Sequence, residues 1–191
     1  MKHIKLASAL IVAMGIAAAG VASAAASTGG TITFTGAVTD ETCTVTGGAG
    51  TNGGTGNFTV ALDPVPASAL AAATDTAGNK TFEVIIGGPG QSTCVDGKVA
   101  TMSFVPSSPQ IDPATGALVN ALSGQATNTE VQVLDGTGTA IALNDPANGV
   151  TFPAIANNTA TVDFQAQYLA VGGGATAGLV STDVLYQVVY N

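Results

Sequence analysis

The chain has 191 residues, of which 46% are apolar, 8% charged and 5% aromatic, and its twelve Asp and Glu against four Lys and Arg set a net charge of −8. That length suits one domain, or a domain plus an appendage, and the acidic balance argues against a phosphate-tracking nucleic-acid binder, which needs clustered cations. The one histidine, His3, lies in a leading segment expected to be removed, so His-based triads, His metal sites and His acid–base chemistry are excluded from the rest.

Residues 1–24 read as an export signal. Met1 to Lys5 is a short positive region, Leu6 to Val21 is apolar, and Ala22-Ser23-Ala24 is a small-residue cleavage site. The apolar run is shorter than the roughly 18–20 residues a spanning helix needs. Export changes how Cys43 and Cys94 read. An even pair delivered to an oxidising compartment is expected to close a disulfide, the alternative being two buried thiols. A bond across so long a loop would contribute about 4 kcal/mol by the chain-entropy estimate.

After a small polar stretch, Thr31 to Val38 alternates with period two. Thr28, Gly30, Ile32, Phe34, Gly36 and Val38 share one face. Strands are predicted over Asn57–Leu62, Lys80–Ile86, Lys98–Val105 and Glu130–Leu134 from β-branched content between Gly and Pro boundaries. The last of these turns at Asp135-Gly136 into a further strand, Thr139–Leu143. Thr159–Leu169 is a long alternating strand, and Val184, Tyr186, Val188 and Tyr190 alternate to the end. Only Ala67–Ala73, behind Pro66, has helical character, for two turns at most. Many short strands with frequent turns predict an all-β sandwich.

Residues 47–56 are a glycine-rich stretch that formally matches a dinucleotide fingerprint. No helix follows to receive a pyrophosphate, so a flexible surface loop is the better reading. Asp40-Glu41 is a pair of acids, but neighbouring strand residues point to opposite faces. No nucleophile sits with a base, so the chain is not read as an enzyme, and no cofactor, metal or small-molecule substrate is expected. A sugar-binding sandwich is the other alternative; the lack of Trp and the three Tyr argue against a stacking platform.

Two apolar strands, the first and the last, would be exposed edges in a monomer, a liability that β proteins avoid. Strand addition from another chain is the physical remedy.

These residues carry a family resemblance. Gly30 to Val38, then Thr42-Cys43-Thr44-Val45, then Asn128 to Asp135 followed by Gly136-Thr137-Gly138, then Phe164-Gln165-Ala166-Gln167-Tyr168, and the end with Gly178, Val184, Tyr186, Val188, Tyr190 and Asn191 resemble, in order, a major pilin of the chaperone–usher fimbriae, of the type 1 fimbrial subunit family. The resemblance implies an immunoglobulin-like sandwich that lacks one strand and is completed by donor-strand exchange. It implies a cleaved signal (1–24), an N-terminal donor extension (25–38) and a pilin domain (39–191). Thr28, Gly30, Ile32, Phe34, Gly36 and Val38 would be the donor row. Gly178, Val184, Tyr186, Val188, Tyr190 and Asn191 would form the terminal strand that a periplasmic chaperone, and then a neighbouring subunit, engages. The implied partners are that chaperone, an outer-membrane usher and copies of the chain itself in a head-to-tail polymer. The implied location is a surface fimbrium reached through the periplasm.

Overall fold

The computed structural model describes residues 43–191. The signal (1–24) and the donor extension (25–38) lie outside the described residues. Eight strands follow in order: β1 (Val45–Gly47), β2 (Thr76–Gly87), β3 (Ala100–Phe104), β4 (Leu118–Val119), β5 (Thr129–Asp135), β6 (Val150–Thr151), β7 (Thr159–Ala170) and β8 (Tyr186–Tyr190). One sheet has the order β1-β2-β7-β5-β4 and the other β6-β3-β8. Every strand pair is antiparallel. This is the expected all-β sandwich with immunoglobulin-like character.

The core follows from the two-residue period. Phe82, Val84 and Ile86 of β2, Met102 and Phe104 of β3, Val131 and Val133 of β5, and Phe164 and Ala166 of β7 are all buried. Phe164 joins the sheets. Its ring stacks on Phe82 of its own sheet at 5.6 Å and meets Phe104 of the other edge-on at 6.1 Å. β7 pairs along most of its length with β2 on one side and β5 on the other, so its backbone is satisfied on both edges.

Four polar residues, Ser108, Thr129, Glu130 and Asn148, are buried among the described residues, and two of them show how this is accommodated. Asn148 stands in for a strand neighbour beside β3: its Oδ1 accepts from Phe104 N at 2.9 Å, and its Nδ2 donates to the carbonyls of Phe104 and Leu143, each at 3.0 Å. Glu130 on β5 accepts the Thr115 hydroxyl at 2.6 Å. Burial first, with Asp112 close by, raises its carboxyl above the usual range, and the Thr115 bond only partly offsets this.

Several predicted elements differ. Asn57–Leu62 is not a strand. Phe58, Val60 and Leu62 do face inward, half-buried against the core, but no strand among the described residues forms a ladder with them. Thr139–Leu143 is not a strand either. It touches β5 through a single bridge, Leu134 to Ala140, because the turn is closed by Asp135, whose Oδ1 accepts from Thr137 N, Thr137 Oγ1 and Thr139 N. The helical stretch is one 3-10 turn, Ala67–Leu70. The glycine-rich loop is tied down rather than free. Gly48 N donates to Glu83 O, Glu83 N to Ala49 O and Gly47 N to Gly54 O. Gly50 needs its glycine: φ is +79°, and a Cβ there would stand 2.3 Å from the Thr81 carbonyl oxygen.

Candidate functional site

β8 pairs with β3 from Ala100–Tyr190 through Phe104–Tyr186. The ladder runs one step further at each end, with Val99 and Asn191 exchanging both bonds and Val105 N donating to Leu185 O. Among the described residues no strand pairs with the opposite edge of β8. Val184, just ahead of the strand, and Tyr186, Val188 and Tyr190 within it all pack partly buried against the core. Gln187 between them is exposed, as is Asn191.

Across from this edge runs the chain after the first cysteine. Cys43, Val45, Phe58, Val60 and Leu62 are half-buried against the same core. The contacts between the two flanks are made by tyrosine side chains. Tyr186 meets Phe58 with ring centroids 6.0 Å apart and donates its hydroxyl to the Gly56 carbonyl. Tyr190 reaches the Cys43 carbonyl at 3.5 Å. Among the described residues no main-chain hydrogen bond joins the flanks directly. Burial raises the pKa of the Tyr186 hydroxyl above its ordinary value. The arrangement is a seam: two apolar flanks, bridged by rings, where a sandwich would otherwise continue its ladder.

The disulfide fixes the first flank. Cys43 and Cys94 are bonded, with Cα atoms 4.7 Å apart. Cys94 is fully buried, and Gly87 at the end of β2 leaves room for it, since a Cβ at that glycine would lie 2.6 Å from the Cys94 sulfur.

The predicted terminal residues therefore divide in two. Val184, Tyr186, Val188 and Tyr190 form one inward row, whereas Gly178 lies against a different neighbour. A Cβ on Gly178 would stand 2.2 Å from Ala126 N and 2.7 Å from the Gln125 carbonyl carbon. That close approach lets residues 179–181 stitch onto the 120–126 loop. Ala126 N donates to Leu179 O and Ala121 N to Ser181 O, and the Asn120 side chain bonds Leu179 O and Ser181 N. Thr28, Gly30, Ile32, Phe34, Gly36 and Val38 lie outside the described residues. Phe58, Val60 and Leu62 were legible as an apolar row, but the sequence did not mark them as the opposing flank.

Among the described residues no group of three His, Cys, Asp or Glu could hold a metal ion, and no helix is long and apolar enough to cross a membrane. The sequence pattern of the family described as Fimbrial protein matches residues 32–191. The F17 fimbrial protein of Escherichia coli is 34% identical over 180 residues, covering 93% of this chain and 96% of that one. The major fimbrial subunit SMF-1 of Stenotrophomonas maltophilia is 34% identical over 183 residues, covering 92% and 99%. In fold, the chain is similar to the subunit in a chaperone–usher pilus structure that addresses rod uncoiling (TM-score 0.53, 16% identity, 96% of this chain and all of that one). It is also similar to an antigen and type I fimbria protein of Burkholderia pseudomallei (TM-score 0.51, 21% identity, 78% of this chain and all of that one).

Proposed function

Because the chain belongs to the fimbrial protein family, we propose that it is built into its filament by lending one strand and receiving another. It is a structural subunit of a surface fimbrium. The finer mechanism is donor-strand complementation: residues 28–38 of one copy enter the seam beside β8 of the next. The observation that carries this reading is the half-buried apolar row Val184, Tyr186, Val188 and Tyr190, on a strand laddered on one edge by β3.

The physics of such an insertion is direct. An extended segment adds main-chain hydrogen bonds to a strand edge and places alternate side chains inward. Ile32 and Phe34 are the large members of the donor row, and burying each contributes about 1.5–3 kcal/mol. Each copy gives one end and receives at another, so the contact is heterologous and propagates as a filament. Before assembly, a periplasmic chaperone covers the same edge and engages Tyr190 and Asn191, and an outer-membrane usher exchanges it for the next subunit. The role is structural, with no reaction to catalyse.

The test is to co-express Phe34→Asp and Gly30→Leu chains separately with the chaperone and usher. Phe34→Asp puts a charge into an apolar seam, which is strongly unfavourable, and Gly30→Leu adds bulk where the donor row has none. Each variant should form the chaperone complex and fail to give a heat-resistant polymer ladder. A normal ladder from Phe34→Asp, or loss of the chaperone complex in either variant, would show that residues 28–38 are not the donor strand.

A further inference from the structure

We propose that Glu130 and Asp112 share one proton in a bond that clasps the loop of residues 112–117 onto β5, and that the loop loosens when this proton passes to solvent. The inference is independent of the strand exchange proposed above.

The loop is a short excursion beside β4. Ile111 and Leu118 form a bridge at its base. Within it, Asp112 N donates to Ala117 O and Gly116 N to Asp112 O. The Asp112 carboxylate accepts from Ala114 N at 2.7 Å. The Thr115 hydroxyl accepts from Ala117 N at 3.2 Å and donates to Glu130 Oε2 at 2.6 Å. Residues 113–115 are exposed, whereas Glu130 is 5% exposed. Both side chains that reach Glu130, those of Thr115 and Asp112, come from this loop. Thr115 has a proton to give at any ordinary pH. The bond with Asp112 joins two carboxyl groups, and ionised carboxylates only accept. That bond therefore exists only while one of the pair is protonated.

The buried member keeps the proton, since burial disfavours its charged form. Nothing nearby offsets this with positive charge. Among the described residues the cations are Lys80, which is paired with Asp63, and Lys98. β4 has no titratable side chain. β7 offers Asp163, in register with Glu83, and Tyr168, in register with Val131. β5 itself offers Asp135, which is held in its own turn. The 142–145 segment, which meets the loop through Leu143 N to Gly116 O, offers Asp145, which is bonded to Ala147 N. Asp112 is the one charged group that acts on Glu130, and it acts to raise the Glu130 pKa.

Ionisation removes the carboxyl donor and leaves two like charges in contact, one of them desolvated. The Thr115 bond survives, but it holds the loop from the far side of its turn. The strand side, at Asp112, is driven away from β5. The sign follows from linkage. The closed loop binds the Glu130 proton more tightly than the open one, so closure is strongest in mild acid and weakens as pH rises through the raised folded value.

The experiment is hydrogen exchange of the full-length chain from mildly acidic to neutral pH, corrected for the intrinsic pH dependence of amide exchange and read over residues 110–119 and over β7. Exchange of residues 110–119 should outpace that of β7 and accelerate with pH, by up to about tenfold per unit for one proton lost, until it levels off. Glu130→Gln, which keeps an acceptor for Thr115 and a donor for Asp112 without titrating, should abolish the acceleration. Asp112→Asn keeps an acceptor for Ala114 N and removes the opposing charge, so it should shrink the acceleration and move it to lower pH. Exchange of residues 110–119 that is no faster than that of β7, or that is flat with pH in the wild type, would overturn the proposal. So would an undiminished acceleration in either variant.

Discussion

Replacing Phe164 with alanine should cost the fold about 4–5 kcal/mol, and the structure sets where in the usual range the loss falls. The ring is fully buried. Removing it forfeits its transfer energy, about 3 kcal/mol for a large apolar side chain. It also forfeits a stacked contact with Phe82 and an edge contact with Phe104, each worth about 0.5–1.5 kcal/mol. The site cannot collapse readily to recover that energy. Phe82 and Phe164 are register partners on a long ladder between β2 and β7, and Phe104 is held on β3 by Tyr186 and Asn148. Losses therefore belong at the upper end of the roughly 3–5 kcal/mol found for buried Phe→Ala changes. Urea unfolding of the full-length chain can be followed by tyrosine emission, since the chain has no Trp and its three Tyr, Tyr168, Tyr186 and Tyr190, lie on β7 and β8. With a slope of about 2 kcal/mol per molar urea, the midpoint should fall by about 2 M. A double-mutant cycle with Phe82→Ala should return a coupling of about 1 kcal/mol. A Phe164→Ala loss below about 2 kcal/mol would refute the claim that this ring locks the two sheets together.

Reducing the Cys43–Cys94 bond, or replacing both residues with Ala, should lower stability by about 4 kcal/mol through freed chain entropy; equal urea midpoints for oxidised and reduced chains would contradict this. Gly178→Ala should destabilise by about 1–3 kcal/mol through overpacking against the Ala126 main chain, readable as a lowered melting temperature. Glu130 has a folded-state pKa above its unfolded value, first because of burial. Its contribution is fully present below the unfolded pKa and is lost as pH rises through the folded one. Glu130→Gln should accordingly stabilise the chain at pH 7 and flatten the decline in stability as pH rises through the mildly acidic range. An unchanged pH profile would show that Glu130 is not the group responsible.

The sheets were legible because β2, β3 and β7 combine β-branched content with an inward period of two, and β5, which buries neighbouring residues on both faces, is a short apolar run between turn signals. Phe82, Val84 and Ile86, for example, could face only one way. The same period misled at Asn57–Leu62. Alternation reports which side chains face inward, not whether the main chain has a neighbour, and Phe58, Val60 and Leu62 are half-buried with no ladder. β4 and β6 have two residues each, too few to show a period. The tied glycine loop was hidden because its bonds to Glu83 are mostly main chain to main chain, and the Asn148 bridge because its partners lie 44 residues away at Phe104. Of the site, the inward row on β8 was readable from spacing, and the cysteine pairing from export and an even count. The opposing flank was not, because it depends on which distant segments meet.

The cysteine bond also governs how a filament answers a pull. Under the strand exchange proposed above, tension carried through neighbouring subunits would load a subunit near its first flank and along β8. The two cysteines, 51 positions apart in sequence, are covalently shorted, so the chain between them stays out of the path of the force. At about 3.5 Å per extended residue, this withholds roughly 175 Å of slack from any subunit that begins to unravel. β1 and β2 both fall inside that bracket, so neither is drawn out along the line of force while the bond is intact.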